Sequence, residues 1–105
     1  MDEQNKYRVV VTSRAARMLV SHAAFLAKVN ETAAEKLTDE FEKAASSLER
    51  MPHRCPWFEQ PYIPHNKYRS LLFGKRYLII FQIKDDTVFV DHVLDCRQDY
   101  EWLLY

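Results

Sequence analysis

The residues best suited to chemistry form a basic island between residues 66 and 84, in the stretch NKYRSLLFGKRYLIIFQIK. It holds basic side chains and no acidic one: Lys67, Arg69, Lys75, Arg76 and Lys84. The whole chain balances 15 basic against 15 acidic residues, so this is a local excess of positive charge. Guanidinium groups bind phosphate in a two-pronged fork, and aromatic neighbours can stack on unpaired bases. The island is therefore suited to contact with nucleic acid, although an ordinary solvated face is the commoner role of such charges.

Other kinds of site find less support in the sequence. His53 and His65 flank Cys55, but there is no CxxC and no HExxH, so the spacing does not predict zinc. Cys96 precedes Arg97, which would favour a thiolate, although a small buried residue is the commoner role of such a cysteine. A single glycine cannot build a phosphate-binding loop. We therefore expect no metal and no cofactor.

Length and composition limit the kind of protein. A chain of 105 residues with 48% hydrophobic residues predicts one domain over residues 1–105 that buries its own core. The N-terminus MDEQNKYRVVV lacks the pattern of a signal peptide, and no apolar stretch approaches the length of a membrane span. Two cysteines are too few for a disulfide framework. We expect a soluble cytoplasmic protein with no membrane contact.

Hydrophobic spacing predicts six elements and an irregular loop that holds all four prolines. A short strand near 6–12 precedes two helices. The first helix starts after Thr12 or Ser13, which can cap it, and runs to about residue 29. The second starts at a capping box formed by Thr32 and Glu35 and runs to Met51, where Pro52 ends it. The loop covers 52–66, and strands follow near 67–73, 76–84 and 87–94. Tight turns at Gly74-Lys75 and Asp85-Asp86 connect these strands.

This order predicts an α+β fold of two layers, with an N-terminal strand and a helical hairpin packed on an antiparallel sheet. Side chains alternate along a strand. If Leu72 points into the core, Ser70 does too, and the opposite face then carries Lys67, Arg69, Leu71 and Phe73. Arg97 is the only basic residue after residue 84, and it can join the island at the end of the last strand.

The chain resembles the RelE/ParE superfamily of type II toxins over roughly residues 7–103. The stretches that carry the resemblance, in order, are YRVVVTSRAARML, AAEKLTDEFEKAASSLERMP and YIPHNKYRSLLFGKRYLIIFQIKDDTVFVDHVLDCRQDY. The ending DDTVFVDHVLDCRQD is most similar to the ParE-like branch. The resemblance implies the toxin of a plasmid-stabilisation module, bound by a cognate antitoxin.

The resemblance also leaves the target open. ParE-like toxins poison DNA gyrase, and RelE-like toxins cut mRNA in the ribosome. By similarity to the nucleases, Arg69, Arg97 and Tyr100 would be catalytic, with Glu59 and Arg76 as further candidates for proton transfer and phosphate binding. Leu78 and Asp99 stand where nucleases carry an arginine and a histidine. We therefore favour gyrase poisoning over mRNA cleavage, with an inactive antitoxin-binding member as a third reading, and leave enzymatic activity and a homodimer open.

Two aromatic groups have unassigned roles. Trp57 and Phe58, in the proline-rich loop, are either contacts for a partner or a cover for a sheet edge. The tail YEWLLY either docks on the core or is left for the antitoxin. His22 lies on the apolar stripe of the first helix, which predicts a histidine at the core or at an interface.

Overall fold

A computed structural model describes residues 6–96 of the chain. The sheet consists of β1 (Arg8–Val11), β2 (Arg69–Phe73), β3 (Tyr77–Lys84) and β4 (Thr87–Asp95). Two helices, α1 (Ser13–Ala27) and α2 (Glu31–Ser47), form a hairpin between β1 and the proline-rich loop. A short 3-10 helix, Pro52–Arg54, begins that loop. The predicted α+β fold and its order of elements are confirmed.

The sheet has the strand order β1-β4-β3-β2. Tight turns join β2 to β3 and β3 to β4, so these three strands are antiparallel as predicted. β1 adds to β4 in parallel, from Arg8 opposite Thr87 to Val11 opposite Val90, which makes the sheet mixed. Because the helical hairpin carries the chain from β1 to the far edge of the sheet, no tight turn fixes the direction of β1.

The turns of the sheet use the residues that the sequence predicts. Gly74 and Lys75 have φ angles of 58° and 73°, and Asp85 has a φ of 57°. Positive φ is the backbone conformation that tight hairpin turns require, and glycine and aspartate tolerate it better than most residues. Lys75 carries a long side chain in this region and therefore bears a small backbone strain.

Each helix begins at a polar cap. The hydroxyl of Thr12 accepts a hydrogen bond from the backbone amide of Ala15 at 3.2 Å, as expected for an N-cap. The second helix starts earlier than predicted, since the side chain of Asn30 caps it by accepting from the amide of Ala33 at 3.1 Å. The predicted capping box at Thr32 and Glu35 is therefore wrong, because both residues lie inside the helix.

The end of α2 also differs from the prediction. The helix ends at Ser47, and Leu48 is its C-cap, although the apolar spacing continues to Met51. Met51 has a φ of 50° and is 70% exposed, so it contributes nothing to the core. Pro52 disfavours right-handed helical geometry at the residue before it, and the guanidinium of Arg54 donates to the carbonyl of Arg50 in this turn.

The helices cover one face of the sheet. The main core joins both helices to that face, and its largest buried members are Phe41, Leu48, Phe73, Tyr77, Ile79 and Phe81. His22 of α1 belongs to this layer: its Nε2 donates to the carbonyl of Val93 at 2.9 Å, and its ring packs edge-on against Tyr77. A core position for His22 is thus confirmed.

A second, smaller cluster lies on the opposite face, where Phe58 and Ile63 of the loop cover Ile80 and Leu94. The orientation of β2 is the reverse of the one inferred from an inward Leu72. Leu72 is 56% exposed, whereas Phe73 is buried and Leu71 packs against the main core. The sequence of a short edge strand does not show which set of alternate side chains faces the core, because only one or two side chains decide it. No helix within residues 6–96 is long and apolar enough to cross a membrane.

Candidate functional site

Arg69, the first residue of β2, is half-buried, and three contacts hold its guanidinium. Its Nη1 donates to the carbonyl of Cys55 at 2.7 Å and to the carbonyl of His53 at 3.1 Å. The guanidinium lies over the ring of Trp57, 3.9 Å from the ring centroid. Stacking and charge-assisted hydrogen bonds both favour a fixed guanidinium. Arg69 therefore connects the start of β2 to the proline-rich loop.

The loop itself extends the sheet beside Arg69. Trp57 forms a bridge with Arg69, the amide of Phe58 donates to the carbonyl of Tyr68 at 2.7 Å, and the amide of Ser70 donates to the carbonyl of Pro56 at 3.0 Å. These bonds satisfy the outer backbone groups at the start of β2, which an edge strand would otherwise expose. Phe58 and Trp57 therefore cover a sheet edge, although Trp57 stays 41% exposed.

Arg76 lies at the other end of β2, in the turn that leads into β3. Its guanidinium is 5.7 Å from the ring centroid of Tyr77, and its Nε is buried without a hydrogen-bond partner among residues 6–96. Its carbonyl accepts from the amide of Cys96 at 2.7 Å. β2 has four residue steps from Arg69 to Phe73, and at a rise of about 3.4 Å per residue this is about 14 Å.

Glu59 forms a hydrogen bond with His65 within the loop. Its Oε1 lies 2.8 Å from Nδ1 of His65, and both side chains are largely exposed. The carboxylate is thus engaged with an imidazole of its own loop. The remaining two candidates from the sequence, Arg97 and Tyr100, lie outside the described residues. Among the described candidates, the structure does not bring Arg69, Arg76 and Glu59 together at one point.

A groove runs beside Arg69 at the open end of the β2–β3 pair, and we call it the basic groove. Its lining residues are His53, Trp57, Pro64, Asn66, Lys67, Arg69, Gln82, Ile83 and Lys84. Among residues 6–96, no carboxylate lines it. The basic island is therefore divided, with Lys67, Arg69 and Lys84 at this groove and Lys75 and Arg76 at the opposite turn.

The loop cysteine does not support metal binding. Burial raises the pKa of the Cys55 thiol, and the nearby positive charges of Arg54 and Arg69 only partly oppose this. A raised pKa disfavours the thiolate that metals and electrophiles require. Within residues 6–96 no group of His, Cys, Asp and Glu side chains is arranged to hold a metal ion.

A second polar group, which the sequence did not single out, lies on the sheet face away from the helices. His92 is 5% exposed and packs edge-on against Tyr68, with ring centroids 5.7 Å apart. Burial lowers the pKa of His92 to about 4, and the charges of Arg14 and Lys67 act in the same direction against Asp91. Burial likewise raises the pKa of the Tyr68 hydroxyl, and Asp91 adds to that shift.

A register shift in the sheet explains why the sequence pattern did not predict the packing of His92 against Tyr68. Phe81 pairs with Val90 and Ile80 pairs with His92, so Asp91 is an extra residue in β4. Its carboxylate accepts from Nε2 of Gln82 at 2.7 Å. Alternation along TVFVDHV assumes a regular strand, and a bulge reverses the face of every residue after it. The only signal in the sequence is a polar Asp-His pair within an apolar strand.

The chain matches the family model described as "ParE toxin of type II toxin-antitoxin system, parDE" over residues 9–100. Among solved structures it is similar to the chromosomal ParDE toxin–antitoxin system from P. aeruginosa, with a TM-score of 0.70 and 13% identity, over 87% of this chain and 97% of that chain. It is also similar to the toxin–antitoxin complex RelBE2 from Mycobacterium tuberculosis, with a TM-score of 0.57 and 22% identity, over 90% of this chain and 97% of that one. No curated protein sequence matches the chain.

At these identities the two structures bear on the fold, and they confirm two helices packed on a four-stranded mixed sheet. The family match bears on identity, because it spans nearly the whole chain and falls on the branch that the ending DDTVFVDHVLDCRQD predicts. The chain belongs to the ParE toxin family of type II toxin–antitoxin systems.

Proposed function

We propose that this toxin acts by binding and poisoning DNA gyrase, and that it performs no covalent chemistry of its own. One observation carries the proposal: the guanidinium of Arg69 is engaged by two backbone carbonyls and by the ring of Trp57. A guanidinium held in this way has a structural task. Membership of the ParE toxin family supports the same target.

RNA cleavage requires catalytic groups that converge on one phosphate, and Arg69, Arg76 and Glu59 do not converge. A nuclease must place a cation and a proton-transfer group within about 3 Å of the same reacting atoms. Arg76 is separated from Arg69 by the length of β2, and Glu59 is paired with His65. Without convergence of these groups, a bound phosphate would not gain the transition-state stabilisation that cutting needs.

We further propose that a cognate antitoxin binds the chain and that the pair resides in the cytoplasm, where gyrase works. Both similar structures come from toxin–antitoxin systems. The chain also offers apolar surface for a protein partner, since Val20, Phe25 and Val29 on or beside α1 are all exposed. Exposed aromatic residues such as Phe25 are enriched at protein interfaces.

The nuclease alternative is tested by in vitro translation with the purified protein, followed by mapping of the 5′ ends of ribosome-bound mRNA. We expect intact mRNA, together with growth arrest when the protein is expressed in bacteria. New ends within the A-site codon that disappear in Arg97→Ala and Glu59→Gln variants would overturn the proposal. Intact mRNA without growth arrest would also contradict it, because the protein would then be inert.

A further inference from the structure

The basic groove combines an exposed aromatic ring with several cations. Trp57 is 41% exposed, and Lys67 and Lys84, which line the same groove, are also exposed. Arg69 covers part of the indole and contributes a third positive charge. An exposed aromatic ring with cations beside it is typical of surfaces that bind a ligand by stacking.

The cations of the groove lack carboxylate partners in the part of the chain that the structure describes. In that part the carboxylate of Glu49 pairs with Lys6, and the carboxylate of Glu59 contacts the imidazole of His65. Neither contact involves a cation of the groove. Lys67 instead lies 5.2 Å from the ring centroid of Tyr68. Uncompensated cations that line one groove produce a positive potential there even though the chain as a whole is neutral.

The nearest acidic residues do not occupy the groove. Asp85 and Asp86 form the turn after Lys84, and the carboxylate of Asp86 accepts from the hydroxyl of Thr87 at 3.0 Å. The carboxylate of Asp91 is held by the amide of Gln82. The side-chain carbonyl of Gln82 and the amide of Asn66 add neutral hydrogen-bonding groups to the lining.

The dimensions of the groove suit an extended polyanion. Arg69 pairs with Phe81 across the sheet, and Lys84 lies three residues further along β3. Three residue steps cover about 10 Å. Successive phosphates of one nucleic-acid strand are separated by about 3.4 Å along the axis of a duplex, and by more when the strand is extended. The groove is therefore long enough to hold a base against Trp57 beside Arg69 and about two phosphates towards Lys84.

We propose that the basic groove binds a single-stranded segment of nucleic acid, with a base stacked on Trp57 and phosphates contacted by Lys67 and Lys84. An exposed indole between cations is the combination that binds unpaired bases without sequence preference. A duplex keeps its base faces covered and offers nothing to the ring. An acidic peptide would satisfy the lysines but would leave the indole without a stacking partner.

This inference goes beyond the proposed function, because it requires neither gyrase nor cutting. Single-stranded DNA and RNA share the chemistry, and the experiment distinguishes them. The full-length protein with Trp102→Phe retains Trp57 as its single tryptophan, since the chain has two. Its fluorescence is titrated with a twelve-nucleotide oligothymidylate and with the matching oligouridylate at 50 mM salt.

We expect both oligonucleotides to quench Trp57 and the tighter ligand to identify the natural source. Lys67→Glu and Lys84→Glu should each weaken binding about tenfold and flatten its salt dependence, since each removes a phosphate contact. Lys43→Glu, an identical charge change on the exposed face of α2, should leave binding unchanged. All three lysines are exposed, so the variants should fold equally well, which circular dichroism checks.

Three results would overturn the inference. The first is the absence of quenching by either oligonucleotide at 50 mM salt. The second is an equal loss of binding in Lys43→Glu, which would mean attraction to net charge alone. The third is equally tight binding of poly-glutamate with the same quenching, which would make the groove a general polyanion or peptide site.

Discussion

Single residues decide what the basic island can do, and Arg69 is the clearest case. Its type and position predict a phosphate contact, but its guanidinium is engaged by the carbonyls of His53 and Cys55. These partners lie 16 and 14 positions earlier in the chain, in an irregular loop. Residue type tells which groups a side chain can bind. It does not tell which of them the fold brings closest, so this contact was not predictable from sequence.

Removal of the Arg69 side chain should therefore destabilise the protein. Arg69→Ala loses two charge-assisted hydrogen bonds and a stacking contact, for which we expect a loss of about 2 kcal/mol in the free energy of unfolding. Urea denaturation followed by circular dichroism measures it. Lys67→Ala, two residues away and exposed, is the matched control and should change stability by less than about 0.5 kcal/mol. Equal stability of both variants would contradict a structural role for Arg69.

His92 should make the stability of the protein depend on pH. Its pKa is lowered from 6.5 to about 4 in the folded protein, chiefly by burial. In the unfolded chain the imidazole takes up a proton at higher pH, so the unfolded state binds more protons between about pH 6.5 and 4. Stability due to this residue is therefore constant above that window and falls as the pH is lowered through it.

We expect the urea midpoint of the wild type to fall more steeply between pH 7 and 4.5 than that of His92→Phe. Phenylalanine preserves an aromatic ring against Tyr68 but cannot be protonated. The two proteins are compared by the slope of the urea midpoint against pH. The carboxylates are the same in both proteins and contribute equally to that slope, so a difference reports His92. Parallel curves would show that His92 does not titrate in this way.

Sequence patterns predicted which helices and strands form, but they predicted the ends of α2 less accurately. The six elements and both tight turns follow from apolar spacing and from turn residues such as Gly74. The two ends of α2 do not, since Asn30 and Thr32 are both good caps and the helical period continues past Ser47. Competing local signals of similar strength are resolved by tertiary packing, which a sequence pattern does not contain.

The cap of α2 offers a direct test. Asn30→Ala should lower the free energy of unfolding by about 1 kcal/mol, because the amide of Ala33 loses its acceptor at the start of the helix. Thr32→Ala should be close to neutral, since alanine is the better residue inside a helix. Thermal or urea unfolding of the two variants measures the difference. A larger loss in Thr32→Ala would restore the capping box.

At the scale of the whole molecule, the fold separates its surfaces. The helices bury one face of the sheet, the loop covers the other around Phe58 and Ile63, and the basic groove opens at one end of the β2–β3 pair. Sequence reasoning predicted the layers and the ParE-like family. The predicted strand and turn already separate Lys67 and Arg69 from Lys75 and Arg76. The sequence did not predict that Lys84 would join Arg69 at one groove, because the register of β2 against β3 decides which charges meet.

The central claim is that this ParE-family toxin inhibits gyrase, and the most direct measurement is a supercoiling assay with purified gyrase, relaxed plasmid and increasing amounts of the toxin. We expect loss of supercoiling and accumulation of cleaved plasmid, while relaxation by a type I topoisomerase in parallel reactions is unaffected. Full supercoiling at toxin concentrations far above that of gyrase, from protein that arrests growth when expressed, would contradict it.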